Sequence, residues 1–91
     1  MPKVSLTKQF YAARRKFTKR SKEKEIILRQ TFAYFAENPN HPSLRLEKLS
    51  GQDTWTIRID KGNRLFFVWS DEGDAAIFFY VGPHDSYRTV K

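Results

Sequence analysis

The stretch Trp55-Thr56-Ile57-Arg58-Ile59-Asp60-Lys61-Gly62-Asn63-Arg64-Leu65-Phe66-Phe67-Val68-Trp69 decides the fold. Trp55, Ile57 and Ile59 alternate with Thr56, Arg58 and Asp60, the period of a strand with one buried face. Lys61, Gly62 and Asn63 supply turn chemistry, and Arg64 to Trp69 is rich in the aromatic and β-branched residues that fill strands. A second turn, Asp71 to Asp74 around Gly73, leads to a third run, Ala75 to Val81. The C-terminal half is therefore expected to be a three-stranded antiparallel meander, its last strand ended by Gly82-Pro83.

Working back toward the N-terminus, the period changes to that of helices. Asn38-Pro39-Asn40-His41-Pro42 cannot continue a helix, because proline lacks an N–H and restricts the residue before it. Before it, Ser21 can cap a helix in which Leu28, Phe32 and Phe35 form one stripe and Ile27, Thr31 and Tyr34 widen it. Thr7 can cap an earlier helix, roughly Lys8 to Lys19, with Phe10, Ala13 and Phe17 on its apolar face. Lys3 to Leu6 alternates like a short strand. The expected architecture is α+β: an N-terminal strand, a helical hairpin, then the meander, with the helices covering one sheet face and the other left open.

With 91 residues, 40% apolar and 15% aromatic, residues 1–91 are expected to form one domain with one modest core. Cysteine is absent, which excludes a disulfide framework, a thiol nucleophile and a thiolate zinc site. Two histidines without clustered carboxylates make no convincing metal site, and no cofactor is expected. The longest apolar run, Ala75 to Val81, falls far short of the ~20 residues that span a bilayer. The first ten residues lack a signal peptide's apolar core, so the cytoplasm is expected and a membrane partner is not.

Charge is distributed unevenly. Residues 1–48 carry twelve Lys and Arg against four Glu, whereas residues 49–91 carry five against six acids, so the whole +7 excess is N-terminal. Between Arg14 and Lys24, Arg14, Arg15, Lys16, Lys19, Arg20, Lys22 and Lys24 face a single acid, Glu23. Such a block suits a polyanion, nucleic acid or an acidic protein segment; it is equally what a solvated helix face looks like. On the open sheet face, Arg58 should point outward, with Arg64 and Lys61 beside it in the hairpin. These are good phosphate ligands, unless Arg58 merely pairs with Asp60 or Glu47. After the last strand, His84 can exchange protons near neutral pH and Tyr87 can stack on a base or donate a hydrogen bond. His41, in the proline-rich loop, reads as structural.

Together, the element order, the phrase Pro42-Ser43-Leu44-Arg45-Leu46-Glu47-Lys48-Leu49-Ser50-Gly51, the strand Trp55-Thr56-Ile57-Arg58-Ile59, the strand Asn63-Arg64-Leu65-Phe66-Phe67 and the ending Val81-Gly82-Pro83-His84-Asp85-Ser86-Tyr87 resemble the RelE/ParE toxin superfamily over essentially the whole chain. The resemblance implies a type II toxin restrained by a cognate antitoxin, whose RelE-like members cut mRNA on the ribosome without metal. It implies an active-site role for Arg64, a basic strand position at Arg58, a YafQ-like catalytic histidine at His84 and a C-terminal tyrosine at Tyr87. RNA-binding roles are expected for Arg15, Lys16, Lys19, Arg20, Lys22, Lys48 and Lys61. Thr56 departs from the pattern, standing where RelE has a second basic residue. Three alternatives share the fold: a ParE-like gyrase poison, a non-catalytic RNA-binding or co-regulatory module, and a degenerate toxin.

Overall fold

The structure is a computed structural model and describes residues 2–83. Two helices, α1 (Lys8–Thr18) and α2 (Lys22–Glu37), pack on one side of a five-stranded mixed sheet. The strands are β1 (Lys3–Leu6), β2 (Glu47–Lys48), β3 (Trp55–Arg58), β4 (Asn63–Trp69) and β5 (Ala75–Pro83), in the order β1-β5-β4-β3-β2. β1 runs parallel to β5, and every other pair is antiparallel. The expected strand, helical hairpin and meander are all present.

Local chemistry explains each helix. Thr7 caps α1 by accepting from the Phe10 N–H (3.0 Å), and Ser21 caps α2 by accepting from that of Lys24 (3.2 Å). α1 ends at Thr18, and the chain reverses through Arg20, which sits in the left-handed region at φ 62°. An Arg14–Glu25 ion pair clamps the two helices together, while Thr18 and Thr31 turn their hydroxyls back onto the carbonyls of Arg14 and Ile27.

The core is aromatic. Phe10, Leu28 and Phe35 from the helices meet Ile57, Leu65, Phe67, Ala76, Phe78 and Val81 from the sheet. Phe35 packs edge-to-face on both Phe67 and Phe78, with centroids 5.3 Å apart in each case. α2 is the more deeply buried helix, with three buried residues against one in α1.

Three expectations are corrected, and one further feature was not foreseen. The pair Glu47–Lys48 forms a fifth strand, opposite Thr56 and Trp55, that two residues are too few to announce by alternation. Tyr34 does not widen the core stripe; it is 44% exposed and stacks on His41 (4.7 Å). The last strand does not stop at Val81 but takes in Gly82-Pro83, Gly82 pairing with Arg64 and Pro83 with Asn63. Proline is tolerated there because β1 stops opposite Phe78, leaving the end of β5 with a strand on one side only. Finally, β5 is irregular: Phe67 pairs with Phe78 but Phe66 with Tyr80, so Phe79 is an extra, bulged residue.

Candidate functional site

The hairpin between β3 and β4 is held by one carboxylate. Asp60 Oδ1 accepts from the Gly62 N–H, the Asn63 N–H and Asn63 Nδ2, each at 3.0 Å. This turn fixes the register in which Arg58 and Arg64 stand directly opposite each other. Leu65 and Ile57 point to the helices, so by alternation both arginines point to the other face. Arg58 Nε donates to the Asp60 backbone carbonyl (3.1 Å), not to its carboxylate, which the turn already occupies. Among the described residues the ion pairs are Lys3–Asp74, Arg14–Glu25 and Arg29–Glu25, and neither Arg58 nor Arg64 takes part. Surface pairing with Asp60 or Glu47 is thus not what occupies Arg58. Arg64 Nη1 is buried with no hydrogen-bond partner among the described residues, and so is Thr56 Oγ1, two pairs further along β3 on the same face.

Two opposed guanidinium groups with no ion-pair partner among the described residues have the chemistry to bind an anion. Each guanidinium carries a planar fork of donors of the kind that suits an oxyanion. The centre of this face is not bare: Phe66 is fully buried on it, with the Tyr80 ring edge-to-face at 5.8 Å.

The other cations divide between surfaces. Arg15, Lys16, Lys19, Arg20 and Lys22 all lie on or between the helices, on the far side of the sheet from Arg58 and Arg64. Lys16 comes nearest the sheet's end, lining a cleft of about 650 Å³ between α1 and β5 together with Phe17, Lys24, Asn63 and Pro83. Arg14 is spent internally on Glu25. Lys61 stands exposed at the hairpin tip. Lys48 pairs with Trp55 and so projects on the helix side, away from Arg58, whereas Glu47 shares the arginine face at its edge. The two-residue strand that sets this was not foreseen. His84 and Tyr87 lie outside the described residues. His41 is structural, its Nδ1 accepting from the Ser43 N–H (3.1 Å). No group of three or more His, Cys, Asp or Glu able to hold a metal occurs among the described residues, and no helix there is long and apolar enough to cross a membrane.

Sequence reasoning missed Tyr80. In a regular strand it would share the core face of Phe78, and only the Phe79 bulge turns it to the arginine face. The run Phe78-Phe79-Tyr80 holds no signal that distinguishes the two arrangements.

The strand, the helical hairpin on one sheet face and the meander form a fold shared with solved toxin structures, YafQ and YoeB among them. YafQ from E. coli BL21(DE3) superposes with a TM-score of 0.73 at 14% identity, over 96% of this chain and 98% of that one. YafQ in the E. coli DinJ–YafQ complex gives 0.73 at 16% identity over 94% and 97%. The Staphylococcus aureus YoeB–YefM complex gives 0.70 at 15% identity over 92% and 98%. No family model and no curated protein sequence matches this chain.

Proposed function

We propose that this protein, a single domain over residues 1–91, is the toxin of a type II toxin–antitoxin pair. In this reading it is a metal-independent endoribonuclease that cleaves mRNA at the ribosome, in the cytoplasm, and so inhibits translation. The observation that supports it is the Arg58–Arg64 pair, opposed across two strands with no acidic partner among the described residues, on a fold shared with YafQ and YoeB.

The substrate's own 2′-hydroxyl attacks the adjacent phosphorus. The 2′-O–P bond forms as its proton passes to a base, and the P–5′-O bond breaks as the departing oxygen takes up a proton. The products are a 2′,3′-cyclic phosphate and a 5′-hydroxyl. Arg64 and Arg58 bind the phosphate and stabilise the added charge of the phosphorane, an effect worth ~3 to 4 kcal/mol for a well-placed donor. His84 is the acid or base and Tyr87 stacks a base or shares proton transfer, the roles that the family resemblance gives them. Arg15, Lys16, Lys19, Arg20 and Lys22, with Lys61 and Lys48, hold RNA phosphates by salt-sensitive contacts. The antitoxin is a separate protein, as DinJ is to YafQ and YefM to YoeB in their complexes.

Purified protein added to translating ribosomes, with mRNA 5′ ends mapped, tests this. Codon-associated cuts are expected. Intact mRNA with inhibited gyrase would instead identify a gyrase poison, and intact mRNA with active gyrase a non-catalytic or degenerate domain.

A further inference from the structure

Three features converge on the arginine face beside Arg64. The Phe79 bulge turns Tyr80 outward onto that face. Phe66, fully buried, props the Tyr80 ring edge-to-face at 5.8 Å and 64°. Gly82, the residue opposite Arg64, has no side chain, and the Tyr80 ring occupies the space left: a Cβ on Gly82 would stand 2.9 Å from Tyr80 Cε2 and 3.3 Å from its Oη. The phenol therefore lies over the Gly82 backbone and is partly exposed, on the strand position facing the arginine whose Nη1 has no partner among the described residues. Bulges of this kind commonly re-aim a side chain at a functional site.

From this geometry we infer that Tyr80 and Gly82 form a stacking subsite for one unpaired RNA base adjoining the phosphate held by Arg64. The inference rests on the RNA-cleaving reading for its substrate. A partly exposed aromatic ring propped at its edge accepts a base of any identity, because every base presents a π-face. Phosphate contacts alone would leave the strand free to slide past Arg64. A stacked neighbour stops it at one register, which is what in-line attack by the 2′-hydroxyl requires. Tyr80 is thus a positioning residue, and its ring rather than its hydroxyl is the working part.

The test measures binding of a short single-stranded RNA whose 2′-hydroxyls are methylated, so that it cannot be cut, and of a series in which each base in turn is removed. Tyr80→Leu should weaken binding of the intact RNA about tenfold, the scale of one base–aromatic stack, and Tyr80→Phe should stay within about twofold. One abasic RNA should bind wild type as weakly as the intact RNA binds Tyr80→Leu, and should weaken no further on that substitution. Gly82→Ala, which pushes the ring aside while keeping it, should reproduce this position-specific weakening and guards against a folding defect in Tyr80→Leu. Undiminished binding by both Tyr80→Leu and Gly82→Ala overturns the subsite, as does an equal weakening at every abasic position, or no RNA binding by wild type. Wild type that binds with this abasic signature but leaves mRNA on translating ribosomes intact refutes the nuclease reading and keeps the subsite.

Discussion

Arg58 and Arg64 stand directly opposite each other, and like charges so placed destabilise a sheet by several tenths of a kcal/mol. Leaving Arg64 Nη1 buried without a partner among the described residues adds a desolvation cost of ~1 to 3 kcal/mol. A residue that opposes the fold in two ways marks a place shaped for something other than stability. Arg64→Leu is therefore expected to unfold at the same or a higher temperature than wild type while cleavage falls by about 10²- to 10³-fold. A melting point lowered as far as by truncating a core phenylalanine would mean that the arginine is structural. At His84 the expectation rests on the family resemblance and on imidazole chemistry. His84→Gln should lower cleavage by about 10²-fold, remove its pH dependence near neutrality and leave antitoxin binding intact. Near-normal cleavage by that variant would shift the proton transfers to Tyr87 or another group.

Two elements hold these residues in place. The hairpin depends on the Asp60 carboxylate, whose Oδ1 alone accepts three hydrogen bonds. Asp60→Ala should lower stability in chemical denaturation by ~1 to 3 kcal/mol, with Asp60→Asn milder because it keeps the Oδ1 acceptor. Equal effects would deny the acceptor its role. Strand β5 depends on its bulge in a way that makes a deletion informative. Removing Phe79 joins Phe78, opposite Phe67, directly to Tyr80, opposite Phe66, so both halves keep their register and every later side chain keeps its face. Deleting Ile77 or Val81 instead would turn side chains to the wrong side of the sheet. The Phe79 deletion should fold and melt cooperatively where the other two do not, and similar behaviour of all three would contradict the observed pairing.

At the scale of the whole molecule, the helices and the arginine face lie on opposite sides of one sheet, so RNA held by both must wrap around an edge. Replacing Arg15, Lys16, Lys19 and Arg20 with Gln should leave the fold intact, since none of the four is buried and all are outside the ion pairs of the described residues. It should also flatten the dependence of log affinity on log salt by ~0.7 to 0.9 for each RNA phosphate that is no longer neutralised. An unchanged slope would return the block to a role in solubility. The element order, the caps at Thr7 and Ser21, the apolar stripes and the outward aim of Arg58 were legible in the sequence, because capping and periodicity act within a few residues of one another. Pairing between distant segments set the rest. β1 docks parallel to β5, Glu47–Lys48 becomes a strand that turns Lys48 away from Arg58, and Arg64 meets Gly82. One bulged residue places Tyr80 on the arginine face. A register shift of one position moves a side chain across the sheet, and that shift is set by the neighbouring strand rather than by the residues that undergo it.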